Sequence, residues 1–147
     1  MTKPPDATIL VCPGCGMLNR VPSARLTAKP VCGSCRAALL PGAPIEADEA
    51  RLARFLDKDP LPLVLDLWAP WCAPCRTFAP TFAEAAARRP TVRFLKLDTE
   101  AHPQAAARFG VRAIPTLIGF RGGREVARLS GAVPLRDLLA FADRIAA

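Results

Sequence analysis

Trp71-Cys72-Ala73-Pro74-Cys75 comes after an apolar run, Leu61 to Trp68, and precedes a stretch of helical spacing. Two cysteines separated by two residues at a strand-to-helix junction constrain this chain more than any other feature. The strand must end and the helix begin within a few residues, which leaves Cys72 beside free backbone amides and the positive end of the helix dipole. That setting favours a thiolate, and two sulfurs so close can form a disulfide and reopen it. The residues alone leave two readings of the pair, a redox-active dithiol or a metal-binding knuckle. Trp71, Pro74 and the apolar strand before them favour redox chemistry. Leu61 to Trp68 is apolar except for Asp66 and reads as a central strand buried on both faces. A lone acid there loses hydration and should hold its proton more firmly than an ordinary carboxyl.

The other four of the six cysteines form two further C-x2-C knuckles, Cys12/Cys15 and Cys32/Cys35, sixteen residues apart. This spacing reads as a zinc site with tetrahedral thiolate coordination, and Gly14, Gly16 and Gly33 allow the tight turns it needs. Residues 1–40 hold too few large apolar side chains for a core of their own, so metal should supply most of their stability. The alternative is four free or air-oxidised thiols. Residues 41–47, Pro-Gly-Ala-Pro-Ile-Glu-Ala, read as a linker that can lend an edge strand to the second domain.

From residue 48 the pattern is that of one α/β domain. A helix is expected from Asp48-Glu49 to Lys58, then the Leu61–Trp68 strand, then a helix over 73–88 that Pro80, inside it, should kink. Beyond these the spacing predicts a strand over 91–97, a short helix over 103–109, a hairpin around Gly122-Gly123 and a last helix over 135–145. The order from Leu61 onward, β-α-β-α-β-β-α, suits a mixed sheet with helices on both faces. His102 reads as ordinary surface and Trp68 as packing.

Asp66-Leu67-Trp68-Ala69-Pro70-Trp71-Cys72-Ala73-Pro74-Cys75-Arg76 and Phe109-Gly110-Val111-Arg112-Ala113-Ile114-Pro115-Thr116 together resemble two signatures of the thioredoxins. With the cysteine-rich segment in front, the whole chain resembles the bacterial zinc-containing thioredoxins of the thioredoxin 2 type. The resemblance implies a thioredoxin fold behind a small zinc ribbon ligated by Cys12, Cys15, Cys32 and Cys35. It implies a protein-disulfide reductase in which Cys72 is the nucleophile, Cys75 resolves the mixed disulfide, Asp66 transfers a proton and Lys96 modulates it. Pro115 matches the family's cis-proline. Trp71, Ala73, Pro74, Ala113, Ile114, Pro115 and Gly131 would border the substrate. The expected partners are disulfide-containing proteins and an NADPH-dependent thioredoxin reductase, with no organic cofactor bound to this chain. Ala73 departs from the glycine common at its position, and residues between the cysteines tune the potential.

A disulfide oxidant or isomerase differs from this reading only in redox poise, and a zinc-dependent holdase or binding module stays open as a role from another class. The net charge of +7 is spread over both segments, with five Lys/Arg against two Asp/Glu in residues 1–47. Without a basic block it indicates solubility rather than a nucleic-acid partner. No apolar run reaches the length of a membrane span, and Met1 to Asp6 lacks a secretory leader. A cytoplasmic, monomeric protein is therefore expected.

Overall fold

A computed structural model describes residues 6–147; residues 1–5, on which the expected start of the ribbon and the expected lack of a leader fall, lie outside the described residues. Strands β1 (Ala7–Val11) and β2 (Leu18–Pro22) form an antiparallel hairpin in which Val11 faces Leu18. The first knuckle is the hairpin's tip, closed by Cys12 N–H to Met17 O and Gly16 N–H to Cys12 O, both 2.9 Å. The second repeats it, with Cys32 N–H to Ala37 O at 2.8 Å and Arg36 N–H to Cys32 O at 3.0 Å. Four residues after each leading cysteine the chain takes a left-handed conformation, Gly16 at φ 81° and Arg36 at φ 67°. Of the three glycines expected to permit these turns, only Gly16 uses a positive φ. At Gly14 the constraint is space, since an added Cβ would lie 3.1 Å from Ala37 Cβ. Leu10, Val21 and Leu39 pack with Cys12 and Cys32 into a small cluster that Leu61 helps to cover. The ribbon thus has a few apolar residues of its own, completed from beyond the linker.

A five-stranded sheet in the order β3-β5-β4-β6-β7 makes up the rest. Its strands are β3 (Ile45–Glu46), β4 (Leu63–Trp68), β5 (Arg93–Asp98), β6 (Thr116–Arg121) and β7 (Arg124–Ser130). β3, β5 and β4 run parallel, and β6 and β7 antiparallel. The edge strand β3 comes from the segment between ribbon and domain. Helices α1 (Glu49–Lys58) and α3 (Pro103–Arg108) cover one face, where Leu52, Phe55 and Ala105 meet Leu65, Leu67, Leu95 and Ile118. Helices α2 (Ala73–Arg88) and α4 (Leu135–Ala146) cover the other, with Phe78, Phe82, Leu138 and Phe141 against Val64, Phe94 and Leu117.

Local chemistry explains the boundaries. Asp48 caps α1 by accepting the Arg51 amide at 2.7 Å. Gly122 and Gly123, at φ 61° and 78°, form the primed turn whose twist suits the β6–β7 hairpin. α2 runs unbroken through Pro80, which leaves the Arg76 carbonyl without its intrahelical amide.

Ribbon and sheet share their interior. Val11 belongs to the core under α1. Above it, Arg93 and Asp59 form an ion pair at 2.8 Å with side chains only 2% and 1% exposed. Asp59 accepts the Val11 amide at 2.9 Å, while Arg93 donates to the carbonyls of Val11 and Leu39 and stacks 5.0 Å from the Phe55 ring centre. On the exposed side of α1, Arg51 donates to Pro13 O at 2.8 Å and Arg54 to Gly16 O at 2.6 Å. The first knuckle's carbonyls are thereby held by the second domain's first helix. Among the described residues, no helix is long and apolar enough to cross a membrane.

Candidate functional site

β4 ends at Trp68, and the chain turns through Ala69–Trp71 to enter α2 at Cys72. Cys72 is the N-cap of α2, its Sγ receiving the Cys75 amide at 3.2 Å. The two sulfurs are joined in a disulfide with Cα atoms 5.2 Å apart. Both cysteines are nearly buried, and Trp71 beside them is 66% exposed. A helix N-cap gives a sulfur its closest approach to unpaired amides, so this position stabilises Cys72 as a thiolate once the disulfide opens.

The loop before β6 closes over the pair. The Ile114–Pro115 bond is cis, and Cys72 Sγ lies 3.8 Å from Ile114 O. Gly131, at φ 88°, donates its amide to Pro115 O at 2.8 Å. Thr116 Oγ1 donates to Ala113 O at 2.5 Å. Ile114 and Trp68 pack on the cluster of Ala69, Cys72 and Cys75. Ala73, Pro74 and Ala113 are exposed at its rim, Ile114 and Gly131 half-buried and Pro115 buried. The structure therefore draws residues 71–75, 113–115 and 131 together from three separate parts of the chain.

Asp66 is 1% exposed, and neither carboxylate oxygen has a hydrogen-bond partner among the described residues. Burial pushes its carboxyl up to about 7, against the favourable field of Lys96 and with a further push from Glu46. Lys96 is its register neighbour on β5, half-buried with Nζ 4.2 Å from the centre of the Trp68 ring. Trp68 thus packs beneath a charge rather than bordering the cysteines alone.

The ribbon sulfurs form a second cluster. Those of Cys12, Cys15, Cys32 and Cys35 all lie within 4.8 Å of one another, with Cys12–Cys35 at 3.5 Å and Cys15–Cys32 at 3.7 Å. Four ligands about 2.3 Å from a tetrahedral zinc sit about 3.8 Å apart, so this donor set fits that ion. The amides of Gly14 and Cys15 point at Cys12 Sγ from 3.3 and 3.4 Å. Ser34 N–H and Asn19 Nδ2 approach Cys32 Sγ at 3.4 and 3.5 Å. The Cys35 amide, then the Asn19 side chain, lower the Cys32 thiol to about 6.

The sequence offered no sign of Asp59, Arg93, Arg51 or Arg54. Asp59 stands before Pro60 and looks like a helix end, and Arg51 and Arg54 lie off the apolar face of α1. Two clefts of about 500 and 510 Å³ lie on the ribbon, one shared with α1 and the other between Arg20 and Val31, both away from Cys72.

Two sulfurs that can bond each other at a helix N-terminus exchange two electrons with a third party's disulfide. Fold and site together define a thiol–disulfide oxidoreductase. Residues 43–144 match the thioredoxin family, and residues 11–37 match the family described as Thioredoxin 2, N-terminal. The chain is 47% identical over 136 residues to Thioredoxin C-3 of Corynebacterium nephridii, covering 92% of this chain and 94% of that one. It is 45% identical over 84 residues to Thioredoxin 1 of a Nostoc species, covering 56% and 78% of the two. Among solved structures, thioredoxin NaTrxh of Nicotiana alata superimposes with a TM-score of 0.66 at 27% identity, over 71% of this chain and 94% of that one. This chain belongs to the thioredoxin family, and its activity is the reduction of protein disulfides.

Proposed function

We propose that Cys72 is the attacking nucleophile and Cys75 the resolving thiol of this reductase. The observation that carries the reading is the placement of Cys72 at the N-cap of α2, under the Cys75 amide and facing the cis-Pro115 loop. In the reduced protein the Cys72 thiolate attacks one sulfur of a client disulfide, forming a mixed disulfide and releasing the client's other sulfur as a thiolate. Cys75 then yields its proton to the Asp66 carboxylate and attacks Cys72. The client leaves with both sulfurs reduced, and the pair keeps the disulfide. α2 holds Cys75 one turn from its target, which makes this second step intramolecular. A carboxyl raised to about 7 can accept and return a proton near neutral pH. Lys96 modulates that exchange through its field.

Trp71, Ala73, Pro74, Ala113, Ile114, Pro115 and Gly131 form the client-binding surface. Ala113, an exposed residue beside cis-Pro115, offers a main-chain pairing position to an extended segment, and Trp71 offers apolar area. Electrons return from an NADPH-dependent thioredoxin reductase. Residues 1–40 are a zinc ribbon, 41–47 a connection and 48–147 the thioredoxin domain. Zinc held by Cys12, Cys15, Cys32 and Cys35 ties the two knuckles together, a contribution of about 10–16 kcal/mol in comparable finger peptides. Four converging thiols suit a reducing compartment, which supports a cytoplasmic protein.

With a disulfide-bonded client and reductase, Cys72→Ser should abolish turnover. Cys75→Ser should accumulate the Cys72 mixed disulfide, seen as a mass adduct that dithiothreitol removes. Wild-type turnover by either variant refutes the assignment.

A further inference from the structure

Parallel register sets Glu46 of β3 beside Lys96 of β5, and Lys96 beside Asp66 of β4. Paired residues on adjacent strands project to the same side of a sheet. The three therefore form one row of charges, Glu46–Lys96–Asp66, on the face covered by α2 and α4. Ile45, next in the chain, is buried in the opposite core, as this placement requires. The Ala47 amide donates to Lys96 O at 2.9 Å and fixes the register at the sheet edge.

The row has an exposed end and a buried end. Glu46 is solvent-exposed, Lys96 half-buried and Asp66 sealed. At about 4.8 Å per strand, Glu46 lies roughly 10 Å from Asp66 with Lys96 between them. Lys96 rests on the Trp68 ring and, among the described residues, makes no direct ion pair, so each acid meets it as a field. Among the described residues, Lys96 is the cation whose field acts on Asp66. Leu117 is the neighbour of Asp66 on β6. α2 buries Cys75, Phe78 and Phe82 and α4 buries Leu138 and Phe141, so among the described residues the titratable group these helices bury is Cys75, a thiol in the reduced protein. With Cys72 and Cys75 joined, burial raises both acids first; among the described residues Lys96 then lowers and Glu46 raises Asp66, while Lys96 lowers and Asp98 raises Glu46.

We propose that Glu46 is a positioning residue of the redox site, competing with Asp66 for the field of Lys96 so that Asp66 retains its proton further into the neutral range. The inference rests on the reading of Asp66 as the proton acceptor of Cys75. An ionised Glu46 offsets Lys96, the cation that favours the Asp66 carboxylate. Neutralising it leaves Lys96 unopposed, and Asp66 then releases its proton at lower pH. The edge strand, contributed by the segment that joins ribbon to domain, thus tunes a proton that no side chain of β3 touches.

The test is a carbon-13 carboxyl titration of Asp66 in the reduced full-length protein, alongside the pH–rate profile of disulfide reduction. Glu46→Gln should lower the Asp66 midpoint by about half a pH unit, a roughly threefold change in its ionisation ratio at fixed pH. Glu46→Lys should move it about twice as far, and the rate profile should shift with it. High salt should shrink the shift because Glu46 faces solvent. Asp57→Asn, an exposed acid on α1, should leave the midpoint in place. An Asp66 midpoint unmoved in both Glu46 variants overturns the proposal, as does a moved midpoint with an unchanged rate profile. An Asp66→Asn protein with the wild-type rate profile overturns the proton-acceptor reading instead.

Discussion

Asp59→Ala should be the most damaging single change outside the cysteines, although it touches neither cluster of sulfurs. It strands the Arg93 guanidinium in a site where that side chain is 2% exposed, and it removes the acceptor of the Val11 amide. Breaking a buried ion pair from one side costs about 3–5 kcal/mol, because the remaining charge stays desolvated. With a urea dependence of about 2 kcal/mol per molar for a domain of this size, the unfolding midpoint should fall by roughly 2 M. The assay is urea denaturation of zinc-loaded, reduced protein monitored by far-ultraviolet circular dichroism. An Asp59→Leu, Arg93→Met double variant should lose less than Asp59→Ala, since it buries no unpaired charge. It should not recover fully, because the Val11 and Leu39 carbonyls lose the Arg93 donor. A loss below about 1 kcal/mol for Asp59→Ala, or a double variant worse than the single, would refute the reasoning.

Asp66 should make stability depend on pH with a definite sign. Its carboxyl is raised from 3.8 to about 7 in the folded state, so the native protein binds the extra proton and stability falls as pH rises through that window. Asp66→Asn should match wild type near pH 4 and exceed it by up to about 4 kcal/mol at pH 8; equal stability at both pH values would contradict the burial argument. Chelation of zinc should expose residues 12–35 to limited proteolysis while α2 and the sheet stay protected, and full protection without metal would show that the apolar contacts suffice. The Cys72–Cys75 potential, measured against a dithiol buffer, should lie near the general thioredoxin figure of about −270 mV. A value tens of millivolts higher that Ala73→Gly restores would instead mark an oxidant or isomerase.

The sequence by itself determined what local rules govern. Apolar periodicity, Asp48 ahead of α1, Cys72 at the head of α2 and Gly122-Gly123 between β6 and β7 each act within a few residues, and each element stands where those signals place it. The cysteine spacing likewise determined which sulfurs could share one ion. Asp66 was legible because an acid inside an apolar strand violates a local rule. Arg93 was not. Alternation about Val92 and Phe94 leaves it on the other face, where an arginine is ordinarily solvated, and only the ribbon folding over that end of the sheet turns it into a buried charge. Glu46 was hidden for the same reason. Its meaning depends on β3 docking beside β5 in one register, a pairing between residues 46 and 96 that no local pattern encodes. Tertiary structure decided where the charges meet, because burial and field strength belong to neighbours that are distant in the chain.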